Sequence, residues 1–278
     1  MYILWCDDGL GNRLRPLLSL MSMNAVMKII WPKNRVCDID SKLVINFPTD
    51  GVNYLSKAVR VVTHYNAQEI AQKDNLPSNC SPLKELVTFC KDAAVRYNGV
   101  DIPNVHEKDV LITSPFFFRG TNYSILPKMF VKLIRREILQ GALDVKHQYS
   151  LGNWVVGCHL RAADVMNSER INSIISKISQ NTSKRFFVCS DMKEIEDALS
   201  CYPHVIRIEK IAYITKVKEL SGWGKNCFRS EETIIPALID LCCLSFCNTT
   251  DSSYHSYPHS TFLDVANRVS GWENFFHS

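Results

Sequence analysis

The chain has 278 residues, 46% of them apolar, enough to bury a core in each of two ordinary domains and inconsistent with a disordered or repeat class. A formal charge of +4 is too small for a nucleic-acid surface, so no DNA or RNA partner is expected, yet it suits a compact anionic ligand. There is no basic segment followed by an apolar leader and no run of eighteen apolar residues, which predicts neither a signal peptide nor a membrane span.

In chain order, the apolar run "YILWC" predicts a strand leading into "DDGLGNRLRPLLSLM", Asp7 to Met21. Glycines on such a turn let backbone N–H groups approach a ligand, and a helix N-terminus behind them favours negative charge. The stretch reads as an anion cradle, or equally as a glycine-containing turn with surface arginines. It is not a dinucleotide fingerprint, since Leu14 stands where the third glycine belongs, nor a P-loop. A helix is predicted from about Asn12 to Met27, then the strand "MKIIW" stopped by Pro32, then the strand "AVRVVTHY". "SPLKELVTFCKDAAVRY" predicts a helix opened by Ser81 with Pro82 at its first position, "DVLITS" a strand and "LPKMFVKLIRREIL" a helix. The polar stretch Asp144 to Asn153 reads as the crossing between halves of the chain, 1–148 and 149–278. The second half continues with "WVVGCHL", a helix over 168–179, "RFFVCSD", a helix from Lys193, "HVIRIE", a helix over 230–244 and a last helix from Ser260. Such alternation predicts an α/β fold of parallel sheets covered by helices, with a cleft between two halves.

In sheets of this kind ligands bind beyond the carboxyl ends of the strands. "WVVGCHLRAAD" ends in His159, Arg161 and Asp164, "RFFVCSD" in Ser190 and Asp191, and "SYPHSTF" places Ser260 and Thr261 at a helix start. Hydroxyls at a helix N-terminus opposite an arginine make a phosphate site. Each residue also has a plain reading: Ser260 or Thr261 as an N-cap, Asp191 as a turn residue, His159 as a core histidine. The eleven cysteines are odd in number and form no CxxC pair, several inside apolar runs, so buried thiols in a reducing, cytoplasmic setting are expected.

These residues carry a resemblance. From "GLGNRLRPLLSLMSMNAVMKIIWPKNRVC" to "DLCCLSFCNTTDSSYHSYPHSTFLDVANRVSG" the chain resembles the fucosyltransferase-like superfamily of inverting glycosyltransferases, which includes the α-1,6-fucosyltransferases and protein O-fucosyltransferases. The section from about Asp50 to Leu151 carries no such likeness. The resemblance implies two facing Rossmann-like domains, the GT-B arrangement, with the active site between them. It further implies a nucleotide-diphosphate sugar donor, no required cofactor or metal, and a glycan or glycoprotein acceptor. "GCHLRAAD" is similar to the family's H-x-R-R-x-D motif, which gives the donor diphosphate to Arg161 beside His159. By the same likeness Asp191 holds the nucleoside, Asp240 contacts base or ribose, and Ser260, Thr261 and Phe262 form the closing phosphate segment. Gly11, Asn12 and Arg13 meet the diphosphate or sugar from the facing domain.

Where the family often has a second arginine this chain has Ala162, which loses one planar donor fork. GDP-fucose is the family's usual donor, and a UDP-sugar such as UDP-xylose shares the diphosphate chemistry. Displacement at the anomeric carbon needs a base for the acceptor hydroxyl and stabilisation of the leaving diphosphate. Arg161 suits the second task. For the first, Glu169 stands ten residues after His159, the offset of the catalytic glutamate in α-1,6-fucosyltransferases, while Asp7 and Asp8 approach from the other half. Glu169 reads equally as a solvated first-turn glutamate. Two rivals stay open: a metal-dependent GT-A enzyme using Asp38 and Asp40 of "CDIDSK", and a noncatalytic sugar- or nucleotide-binding module. No G-x-S-x-G elbow and no zinc spacing is present. Phe116 to Phe118 of "SPFFFRG" serve either as a sugar platform or as packing.

Overall fold

The apolar run Tyr2–Trp5 forms strand β1, and Gly9, in extended conformation, opens helix α1, Leu10–Ser22. The computed structural model describes residues 2–6, 9–31, 37–47, 59–62, 86–88, 110–114, 117–163, 168–216, 227–257 and 260–277. α1 stops five residues short of the predicted Met27, because "MKII" is drawn into strand β2, Met27–Ile30, beside β1. The sheet also takes in β3, Val59–Val62, β4, Leu86–Thr88, and β5, Val110–Thr113, in the order β2-β1-β5-β3-β4, with every pairing parallel. β4 corrects the helix expected from Ser81: Leu86, Val87 and Thr88 pair with Arg60, Val61 and Val62. The backbone ladder with β3 outweighs the helical spacing there. The rest of that predicted helix lies outside the described residues.

"LPKMFVKLIRREIL" is two helices, α2, Leu126–Leu133, and α3, Arg136–Tyr149. Their break has a distant cause. Asn46 donates through Nδ2 to the Ile134 carbonyl at 2.9 Å, and the Arg135 N–H donates to the Val44 carbonyl at 3.0 Å, so residues 44–46 end α2. α3 then runs through Asp144 to Tyr149, which were expected to be linker. Ile138, Leu139, Ala142 and Leu143 face the core while the polar residues cover the other side, and Ser150 ends the helix in the left-handed region.

The second half builds a smaller parallel sheet from β6, Val155–Leu160, β7, Arg185–Ser190, and β8, Val205–Ile206. Helices α4, Ser168–Gln180, and α5, Lys193–Leu199, follow β6 and β7. A short antiparallel pair, β9, Thr215–Lys216, and β10, Cys227–Phe228, precedes α6, Glu231–Leu244, and the chain closes with α7, Thr261–Arg268. α3 packs on α6 and α1 on α7, and one continuous core joins both halves, from Leu4 and Leu17 through Phe130 and Leu143 to Leu241, Val265 and Trp272. Each such side chain, fully buried, contributes roughly 1.5–3 kcal/mol. Phe117 and Phe118 belong to this core, the second of the two roles expected for them. No helix among the described residues is long and apolar enough to cross a membrane.

Candidate functional site

β6 reads "VVGCHL", a strand dry on both faces, and Gly157 within it is required by a close approach. A Cβ there would meet Thr249 Cγ2 at 2.8 Å and Cys247 Cβ at 3.0 Å, because Asn248 bridges Val156 along the free edge of β6. That approach brings residues 249–256 alongside the carboxyl end of the strand. His255 Nδ1 accepts from the His159 N–H at 3.2 Å, so its other nitrogen carries the proton and donates to the Thr249 carbonyl at 2.9 Å. Burial lowers the His255 pKa and the bond to Thr249 opposes this, which fits a neutral ring with this single tautomer. Arg170 of α4 fastens the same segment, donating to the carbonyls of His255 at 3.0 Å and Ser252 at 3.2 Å.

Arg161 follows β6 directly, half-buried, on a turn gripped from two sides. Ser256 Oγ donates to the Arg161 carbonyl at 2.9 Å. Asp191 Oδ1 accepts from the N–H groups of Ala162 at 2.7 Å and Ala163 at 3.1 Å. The aspartate that ends β7 thus orders the Arg161 turn, a contact in addition to the nucleoside role implied for it.

α7 starts beside this turn. Its N-cap Ser260 is buried and accepts through Oγ from the Phe262 N–H at 3.2 Å. Phe262 stacks on His159 with ring centroids 4.9 Å apart and an interplanar angle of 20°, which ties the first turn of α7 to the end of β6. The N-terminus of α1 meets the same turn: a Cβ on Gly11 would lie 2.8 Å from Thr261 Oγ1 and 3.0 Å from Phe262 N. Arg15 Nη2 and Asp264 lock the two helices at 2.5 Å. Asn12, half-exposed in the first turn of α1, has its Oδ1 buried with no hydrogen-bond partner. Pro16, lacking an N–H, cannot donate to the Asn12 carbonyl. Gly11, Asn12, His159, Arg161, Ser260, Thr261 and Phe262 therefore gather around two meeting helix N-termini, where the partial positive ends of both dipoles favour an anion.

Other expected residues lie elsewhere. Arg13 is 0% exposed, with its guanidinium stacked over Trp31, 4.6 Å from the ring centroid. Asp240 is 4% exposed and ion-paired with Lys210 at 2.7 Å, inside α6 packing and away from solvent. Burial pushes its carboxyl up to about 7, Lys210 acting against the rise. Both side chains thus make internal contacts, while Arg13 Nη2 and Asp240 Oδ1 are buried with no hydrogen-bond partner. Glu169 is exposed in the first turn of α4. Asp7, Asp8 and Asp164 lie outside the described residues. Of the rival pair, Asp40 accepts from the Lys42 N–H at 2.9 Å as cap of a short 3₁₀ turn, Ser41–Leu43, and the Asp38 N–H donates to the Arg229 carbonyl at 2.9 Å. His255, Ser256, Arg170 and Lys210 escape sequence reasoning because each acts on a residue far along the chain and follows no periodic pattern.

No family model matches the chain, and no curated protein matches it in sequence. Solved structures do share its fold. The α-1,6-fucosyltransferase NodZ soaked with GDP-fucose matches with a TM-score of 0.56 at 15% identity, over 96% of this chain and 92% of that one. The same enzyme co-crystallised with GDP gives 0.55 at 15% identity, over 96% and 91%. NodZ from Bradyrhizobium gives 0.55 at 13%, over 95% and 91%. The chain therefore has the mixed α/β fold of that fucosyltransferase.

Proposed function

We propose that the chain is an inverting glycosyltransferase of GT-B architecture, its halves 1–148 and 149–278 facing each other as Rossmann-like domains. It moves a sugar from a nucleotide diphosphate, GDP-fucose or a UDP-sugar, to a hydroxyl of a glycan or glycoprotein. The observation that carries this reading is the meeting of the α1 and α7 N-termini beside the Arg161 turn at the carboxyl end of β6. Fold kinship with a protein solved with GDP and with GDP-fucose adds to it.

In this reading the Arg161 fork and the first-turn N–H groups of α7 take up charge as the bond between anomeric carbon and diphosphate oxygen breaks. The electron pair leaves with the diphosphate, the acceptor oxygen bonds to the anomeric carbon from the opposite face, and its proton passes to a carboxylate. Glu169 is the first choice for that base, with Asp8 and Asp7 as its competitors. Asn12 accepts from a sugar hydroxyl in this reading, which the buried Oδ1 without a hydrogen-bond partner supports. His159 and Asp191 hold the phosphate-binding elements, Arg13 shapes the α1 side through Trp31, and Asp240 shapes the floor through Lys210. No metal or cofactor takes part, and the buried thiols Cys158, Cys189, Cys242 and Cys243 suit a reducing, cytoplasmic setting.

The test is Arg161→Ala, with titrations of GDP, UDP, guanosine and uridine. Diphosphate affinity should fall far more than nucleoside affinity, transfer should be largely lost, and Arg161→Lys should restore little, because an ammonium lacks the planar fork. Near-normal diphosphate affinity in Arg161→Ala would remove the reading.

A further inference from the structure

Lys210, in the segment after β8, has a side chain only 5% exposed. Its ammonium donates to oxygens on three elements: the Ser190 carbonyl at 2.8 Å on β7, Glu196 on α5, and Asp240 at 2.7 Å on α6. Glu196 is 0% exposed and also accepts from the Ser190 N–H at 2.8 Å and the Tyr213 hydroxyl at 2.7 Å. Both backbone groups of Ser190 are therefore held by this ion cluster. Burying two carboxylates with one ammonium is rarely better for stability than filling the same space with apolar side chains, so stability alone does not account for it.

The cluster leads directly to the Arg161 turn. Ser190 Oγ donates to the Leu160 carbonyl at 2.7 Å, and Asp191 Oδ1 takes the N–H groups of Ala162 and Ala163. The Ile214 N–H donates to the Asp191 carbonyl at 3.2 Å, so the segment that carries Lys210 and Tyr213 grips both residues at the end of β7. Those two residues in turn hold the backbone on either side of Arg161.

The geometry points to Lys210 as a positioning residue for the diphosphate: through Ser190 and Asp191 it fixes the turn that aims the Arg161 guanidinium. This rests on the donor site proposed above. Lys210 touches no substrate in this role. A buried cation behind the strand end sets where the arginine in front of it points, and Glu196, Asp240 and Tyr213 hold that cation in one place.

The experiment compares wild type with Lys210→Met by calorimetric titration of the whole chain with GDP and guanosine, or UDP and uridine if the wild type prefers them. The ratio of diphosphate to nucleoside affinity should fall about tenfold, the scale of coupling within one hydrogen-bonded network. A loss shared equally by both ligands, or no loss, would overturn the assignment. Should Lys210→Met fail to fold, Tyr213→Phe decides, because it removes one hydroxyl from Glu196 and no charge. The ratio should then fall by about threefold, and an unchanged ratio overturns the assignment. Failure of the underlying reading is separate: there Arg161→Ala itself would leave the ratio unchanged.

Discussion

Gly11→Ala adds one methyl group where the N-termini of α1 and α7 meet. The new carbon would lie 2.8 Å from Thr261 Oγ1, 3.0 Å from Phe262 N and 3.0 Å from Thr261 C. The hydroxyl can rotate, but the two backbone atoms cannot. To reach an optimal contact of ~3.5 Å, α1 and α7 must part by roughly half an ångström. Overpacking of this kind costs about 1–3 kcal/mol, and alanine's better helix propensity returns about 1 kcal/mol, leaving a net loss of up to about 2 kcal/mol. The opening also moves Asn12 and the Arg15–Asp264 pair relative to the first turn of α7. Donor affinity should therefore fall by about tenfold, since each ~1.4 kcal/mol of lost interaction is a factor of ten. Urea unfolding measures the first effect and calorimetric titration with GDP or UDP the second. Gly9→Ala is the stability control: a Cβ there meets nothing within 4 Å, and the backbone at φ −63° and ψ 163° suits alanine. That variant should stay within ~0.5 kcal/mol of wild type. Equal unfolding midpoints and equal affinities for the two variants would refute the close approach of the helices.

Three further outcomes are expected. Glu169→Gln should lower turnover by roughly 10²–10⁴-fold with donor affinity nearly unchanged; full turnover would pass the base to Asp8 or Asp7, tested by their own amides. Transfer should persist in excess chelator and in Asp38→Asn with Asp40→Asn, whereas loss in EDTA with recovery in Mn²⁺ would establish the metal-dependent rival. Asp240 is raised in the folded chain from its ordinary 3.8 to about 7 by burial, opposed by Lys210 and reinforced by Glu196. Between those values the folded state holds a proton that the unfolded state has released, so this group's contribution falls as pH rises through that window. Urea unfolding from pH 4 to 8 should show that slope in wild type and lose it in Asp240→Asn; parallel curves would place the proton elsewhere.

Local signals explain how much was readable in advance. Dry runs such as "VVGCHL" and "RFFVCS" declare buried parallel strands, and the helix start after Ser260 falls where capping chemistry puts it. Residues ending those strands are therefore candidates the sequence can offer, and His159, Arg161, Ser260, Thr261 and Phe262 lie together, with Gly11 and Asn12 against them. Contacts between distant segments left no such mark. Asn46 breaks a helix 88 residues away, β3 draws Leu86–Thr88 into a strand, and Trp31 and Lys210 hold Arg13 and Asp240 in buried contacts. Periodicity and capping arise from forces along a few consecutive residues, so the chain displays them in order. Whether a polar side chain turns outward or inward depends on which distant groups desolvate and pair with it, and that is fixed only when the sheets and helices pack.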